Sequence, residues 1–202
     1  MNVSISEKTE QLRRIRDELL AFEASPFFKY RQENNYFPVI GEGDHDADII
    51  FIGEAPGKNE AETAKPFCGA SGKILDQLLE SAGIGRGDVY ITNVVKDRPP
   101  ANRDPSPAEI ELYAPFLERQ IDIIQPKAIA TLGRFSMQYI MEKYGLAEAA
   151  MSISQNHGRS FDAGTSYGKI KIIPLYHPAV AVYNRTKLDE LKADFQQLKR
   201  VT

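Results

Sequence analysis

Three polar side chains stand just past short apolar runs, and their types could do chemistry together: Glu54, Asn93 and His177. Glu54 follows Ile49-Ile50-Phe51-Ile52-Gly53 and sits in a turn fixed by Pro56 and Gly57. Asn93 follows Val89-Tyr90-Ile91-Thr92, and His177 follows the apolar stretch 169–175 and precedes Pro178. They supply an ionisable carboxylate, an amide that both donates and accepts hydrogen bonds, and an imidazole. Gly133-Arg134-Phe135-Ser136 adds a helix start whose free N–H groups suit an anion. Taken singly, each has an ordinary structural reading: a turn-forming carboxylate, an asparagine satisfying loop backbone, a hydrogen-bonded core histidine. Only the order of elements around them would bring them together.

That order is a repeated alternation. Residues 49–52 are apolar without a break, as in a strand buried on both faces. Further strands are expected at 89–92, 128–132 and 169–175, with helices over 71–79, 107–124, 133–144 and 188–198. Ser71 is the expected N-cap of the first of these, and Pro107 falls in the first turn of the next. An amphipathic helix over 4–24 precedes them. The segments 25–47 and 53–70 read as irregular. So does 145–168, with a turn at Asp162-Ala163-Gly164, and the loop 96–105 is too rich in proline for regular structure. Strand and helix alternating with helix-length connections specify an α/β fold. The expectation is a three-layer α/β/α sandwich around a central four-stranded parallel sheet, in one domain spanning 1–202. The carboxyl ends of such strands share one rim, where ligand sites form.

Composition sets the outer bounds. The chain has 202 residues, 42% hydrophobic and 26% charged, with a formal net charge of −3. Any basic footprint must therefore be local. One cysteine excludes an internal disulfide and a multi-cysteine metal site. There is no apolar leader and no run of membrane length, so a cytoplasmic protein without a membrane partner is expected. No Gly-x-Gly-x-x-Gly follows the first strand, which argues against a Rossmann-type nucleotide enzyme. His45 and His157 stand at no strand end and read as structural or exposed.

The motifs Gly53-Glu54-Ala55-Pro56-Gly57, Pro66-Phe67-Cys68-Gly69, Ile91-Thr92-Asn93-Val94-Val95-Lys96 and His177-Pro178-Ala179 occur in order. With Arg98-Pro99-Pro100-Ala101-Asn102-Arg103-Asp104-Pro105 and Thr131-Leu132-Gly133-Arg134, the chain resembles the uracil-DNA glycosylases, family 4 in particular. The resemblance runs from about Gly41 to Asn184. It implies a monofunctional glycosylase acting on uracil in single- or double-stranded DNA, as a step of base excision repair and as a monomer. Phe67 would stack on the extruded base, and Asn93 would read the uracil edge, with Gly53 and Ala55 completing the pocket. His177 would donate to O2 as negative charge grows on the leaving base. Glu54 would orient water or stabilise the cationic sugar. Ser71, Lys96, Arg98, Arg103, Arg134 and Ser136 would hold phosphates.

The chain also departs from that family. Family 4 members usually hold an iron–sulfur cluster on four cysteines, and the matching positions here are Phe22, Ser25, Asp97 and Tyr113. Clusters are held by thiolates, so no cofactor is expected, and aromatic packing by Phe22 and Tyr113 would fill the space. Cys68 reads as packing. Val182 and Tyr183 stand where related enzymes carry a bulkier aliphatic wedge. Ala55 occupies the place of an aspartate that positions water in the most active superfamily members, which leaves the base to Glu54 or to no residue. Two other readings remain at this point: a non-catalytic damage-sensing module, and a glycosylase for another base such as hypoxanthine.

Overall fold

The computed structural model describes residues 3–201. In chain order its elements begin with α1 (Ile5–Leu20), α2 (Phe28–Glu33), β1 (Glu42–Gly43), β2 (Ile49–Gly53) and α3 (Lys58–Thr63). The middle of the chain forms α4 (Ala70–Ser81), β3 (Tyr90–Asn93), α5 (Pro107–Ile124), β4 (Ala128–Leu132) and α6 (Arg134–Lys143). Then follow α7 (Ile153–Asn156), β5 (Phe161–Thr165), β6 (Gly168–Leu175), α8 (Ala179–Tyr183) and α9 (Leu188–Phe195). None of the helices among the described residues is long and apolar enough to cross a membrane.

The two long helices carry their start signals in sequence. Ser4 and Ser106 each accept an N–H three residues on, from Glu7 and Glu109, and each glutamate takes the serine N–H in return. Such reciprocal caps are worth about 1 kcal/mol each. α4 begins differently from the expectation. Gly69 is its N-cap and Ser71 lies inside the first turn.

The sheet has six strands among the described residues, in the order β1-β3-β2-β4-β6-β5. Its four central strands are mutually parallel and are the four expected ones. The two edges are antiparallel additions that correct the four-stranded expectation. β1 is two residues long, too short for any periodic signal. β5 is half exposed and contains the supposed turn at Asp162-Ala163-Gly164; its register, Phe161 opposite Ile172 and Thr165 opposite Gly168, moves the turn to Ser166-Tyr167.

Both faces are covered, which is why β2 can be apolar at every position. Ile50 and Ile52 point into a core with Leu12 and Ile15 of α1, Leu117 and Ile121 of α5, and Ile140 of α6. Ile49 and Phe51 point into a second core with Leu75 and Leu78 of α4 and Leu191 and Phe195 of α9. The chain leaves β2 towards β3 on one side and leaves β4 towards β6 on the other. The crevice that this reversal opens lies past the ends of β2 and β4.

A buried polar network ties the first core to the loop beyond β3. Arg31 of α2 donates to the terminal carbonyls of α1, Leu19 O at 3.1 Å and Leu20 O at 3.0 Å, and to both oxygens of Asp97 at 3.1 and 3.2 Å. Tyr113 of α5 donates to Asp97 as well, and the Ser25 hydroxyl lies 2.6 Å from the Tyr113 hydroxyl and 3.2 Å from Asp97. Phe22 packs edge-on against Tyr113, ring centroids 5.8 Å apart. Arg31, Ser25, Asp97 and Tyr113 are all buried. Burial, then the Asp97 charge, push the Tyr113 phenol far above its ordinary range, so it stays a donor. Removing one member of a buried ion pair leaves the other uncompensated, at about 3–5 kcal/mol. Asp97→Asn should therefore lower the urea midpoint by that much stability with the slope unchanged; a loss below about 1 kcal/mol, the range of exposed pairs, would show that this pair does not hold the helices together.

Candidate active site

The pocket is built on one missing atom. Gly53 ends β2 opposite Asn93 at the end of β3. A Cβ on Gly53 would fall 2.3 Å from Asn93 Oδ1 and 2.8 Å from Phe67 Cζ. Glycine here lets an amide and an aromatic ring close over the strand end. The ladder continues past the sheet, with Val94 N–H donating to Gly53 O and Val95 N–H to Glu54 O. Those bonds fix the Glu54 peptide, and its side chain turns into a cavity of about 310 Å³. Phe67, Asn93 and His177 line the same cavity, with Ala55 and Ser71 at its wall.

Asn93 is 2% exposed, yet its side-chain amide takes no hydrogen bond from the described residues. Its backbone carbonyl is held instead, by Lys96 Nζ at 2.7 Å. A buried amide left open towards a cavity has a donor and an acceptor free to pair with a ligand. Phe67 lies across from His177 with ring centroids 5.6 Å apart and planes tilted by 32°. Its backbone is left-handed, φ +48°, which costs a bulky residue about 1–3 kcal/mol and persists only where neighbours enforce it.

His177 lines the cavity, where burial pushes it down to about 4, opposed by the Glu60 carboxylate. It is neutral at pH 7. Its Nδ1 accepts the Ala179 N–H at 3.1 Å. The ring proton of the neutral form therefore belongs on Nε2, which becomes a donor. Glu54 is pushed up to about 7, first by burial and then by Asp104, against the pull of Arg134. A carboxyl poised there exchanges a proton near neutral pH, as a general base or charge-stabilising group requires.

The phosphate-holding expectations divide. Lys96 is corrected: it is 0% exposed, bonded to Thr92 Oγ1 and Asn93 O at 2.7 Å and to Gln120. Burial lowers its pKa well below the usual lysine range, and it supports Asn93 from beneath. Ser136 is also corrected, being fully buried with its hydroxyl 3.3 Å from Gly133 O. Arg98 is half-buried against Tyr36 and donates to Asn102 at 2.7 Å. Arg103 is exposed but gripped by Glu109, the same carboxylate that caps α5. Arg134 is exposed and paired with Asp104. Val182 and Tyr183 project from α8, Tyr183 at 90% exposure. Cys68 is exposed beside Thr63 rather than packed, because the turn after Phe67 directs it outwards. His157 is tied to Asp194 at 2.7 Å and His45 to Thr9, away from the cavity.

Sequence reasoning missed Glu60 and Arg86. Glu60 lines the cavity and accepts the N–H groups of Cys68 and Gly69. An acidic residue in the first turn after Gly57 was the available signal for α3. Nothing in the sequence marked Arg86.

At the four positions where the family resemblance expects cluster cysteines, Phe22, Ser25, Asp97 and Tyr113 converge but do not suit an iron–sulfur cluster. They offer two aromatic rings, a hydroxyl and a carboxylate, with no thiolate, and their polar atoms are engaged with one another and with Arg31.

The rim of the sheet thus gathers a carboxylate, an open amide, a neutral histidine and an aromatic face around one cavity. The family model of the Uracil DNA glycosylase superfamily matches residues 40–199, and the chain belongs to that superfamily. It is 43% identical over 193 residues to a type-4 uracil-DNA glycosylase of Sulfurisphaera tokodaii, covering 95% of this chain and 85% of that protein. It is 41% identical to the type-4 enzyme of Archaeoglobus fulgidus, covering 84% of this chain and 83% of the relative. The identity to that of Thermotoga maritima is also 41%, over 73% of each.

Gly53→Ala tests the pocket's construction. The added methyl should displace the Asn93 amide and the Phe67 ring and cut excision of uracil by about 100-fold, since small misplacements in a site cost that much. A rate within twofold of the wild type would mean that the close approach at Gly53 is not required.

Proposed function

We propose that this chain is a monofunctional, cluster-free glycosylase that hydrolyses the N-glycosidic bond of uracil in DNA, a step of base excision repair. The observation that carries this reading is the buried, unengaged amide of Asn93, facing Phe67 and the Nε2 donor of His177 across one cavity. A base reaches such a cavity only when flipped out of the stack. Phe67 offers it a face for stacking, worth ~1–3 kcal/mol per base in comparable contacts. The Asn93 amide pairs with the acceptor and donor on the uracil edge. As the glycosidic bond lengthens, electrons flow onto the base, and the neutral imidazole at O2 donates to the growing anion. Glu54, once ionised, accepts a proton from the attacking water or faces the positive charge on the sugar. Both roles need the carboxylate.

Ser71 and Arg103 line the cavity, Arg98 is bonded to the lining residue Asn102, and the Arg134 charge acts on Glu54. These four are the phosphate contacts of this reading, and the exposed Val182 and Tyr183 are the groups able to enter the stack. In this reading the protein acts as a monomer on single- or double-stranded DNA. The four-residue network without thiolates supports operation without a cofactor.

Two experiments test this. The purified protein should cleave labelled oligonucleotides containing uracil, after alkali, and spare hypoxanthine. It should be colourless and keep its rate after exhaustive treatment with a chelator. Stoichiometric iron would remove the cluster-free reading, and failure to release uracil from any strand would remove the enzymatic one.

The pH profile tests Glu54. Its carboxyl is held up to about 7, so the single-turnover rate should climb with unit slope as pH rises towards about 7 and level off above. His177, pushed down to about 4, adds no second limb above that value. Glu54→Gln should flatten the profile at a residual rate. A wild-type profile with no limb near 7 would mean that the ionised carboxylate plays no part.

A further inference from the structure

Phe67 reaches the pocket from a strained backbone, and the peptides on its two sides are held by groups of opposite charge. Arg86 Nη2 donates to Pro66 O at 2.8 Å and to Phe67 O at 3.3 Å. Glu60 Oε1 accepts the next two N–H groups, Cys68 at 3.0 Å and Gly69 at 2.9 Å. A guanidinium thus gathers two successive carbonyls and a carboxylate gathers two successive amides around one left-handed residue. We propose that Arg86 and Glu60 are positioning residues for excision, clamping the Phe67 turn so that its ring is fixed before a base arrives. The proposal rests on the reading of Phe67 as the stacking face.

The clamp is built outwards from the site. Arg86 lies between α4 and β3, does not line the cavity, and is anchored by Asp76 of α4 at 2.7 Å. Glu60 of α3 is 8% exposed, and its two part-buried contacts are charge-assisted, which makes them stronger than neutral bonds. The first turn of α4 supplies a third restraint. It passes so close that a Cβ on Gly72 would fall 1.8 Å from Phe67 O. A phenylalanine left to itself would leave the left-handed region for extended backbone and swing its ring out of the cavity. The charges at the two ends of the turn oppose that relaxation. Arg86 makes no contact with any other cavity-lining residue among its hydrogen bonds.

A double-mutant cycle separates positioning from plain stability. Arg86→Ala should slow single-turnover release of uracil by about 10- to 100-fold, the cost of misplacing a group that is distant from the chemistry. Inhibition by free uracil should weaken with it. In a Phe67→Ala background, Arg86→Ala should cost less than twofold, because the ring it positions is gone. Arg86→Lys, which keeps a donor, should restore part of the rate, and Asp76→Asn, which only loosens Arg86, should slow release in the same direction. Equal losses in both backgrounds, or no loss when Arg86→Ala is made in the wild-type protein, would overturn the proposal. If Phe67→Ala alone leaves the rate unchanged, the stacking reading itself falls, and the clamp positions nothing catalytic.

Discussion

The close approach at the end of β2 is the constraint on which the rest depends. An amide and a phenyl ring can meet over Gly53 only because nothing projects from its Cα. That requires β2 to end at this residue, which the unbroken apolar run from Ile49 and the two covered faces enforce. It also requires β3 to end in register, which the pairing of Gly53 with Asn93 supplies. Binding energy is then available for the reacting base, because none is used to assemble the pocket. A rigid sheet serves this purpose better than a loop would.

Burial acts on the two ionisable groups of the site in the same sense, towards neutrality. His177 loses its proton affinity and Glu54 gains it. For His177 the outcome is a neutral imidazole with its proton on Nε2, able to donate without carrying a charge into the cavity. For Glu54 the direction carries a cost. Its carboxyl is raised above its unfolded value, so its contribution to stability is full below about 4.5 and is lost as pH rises through about 7. The protein is thus strained by the same ionisation that the proposed chemistry would use, and Arg134 relieves only part of it because Asp104 shares its charge. Functional sites commonly hold such unfavourable groups, with the surrounding fold stable enough to carry them.

What the sequence discloses follows from what it encodes redundantly. The four parallel strands were legible because burial on both faces forces apolar runs, and the strand-end residues were legible because parallel topology collects carboxyl ends. β1 and β5 were not, being short or half exposed at the edges, where no pattern is required. Lys96 was misread because a lysine in a basic loop looks solvated; its burial depends on Thr92, Gln120 and the Asn93 carbonyl together, and no local pattern announces that. Glu60 and Arg86 escaped for a related reason. They act on backbone atoms of a turn, and a turn's carbonyls and amides leave no mark in the residue types that bind them.

The tripeptide Lys96-Asp97-Arg98 shows how the buried network reaches the chemistry. Its three side chains leave the loop in three directions. Lys96 runs under the sheet end to the Asn93 carbonyl, Asp97 enters the cluster of Arg31, Ser25 and Tyr113, and Arg98 lies along Tyr36 and Asn102 at the cavity mouth. Fixing residue 97 therefore fixes the support of the recognition amide on one side and a rim cation on the other. The requirement at position 97 is a strong attachment to α1, α2 and α5 at one depth, and a carboxylate shared by an arginine and a tyrosine meets it. The strength of that attachment depends on keeping water and competing charges away from Asp97, and Phe22 and Phe27 pack around its partner Tyr113.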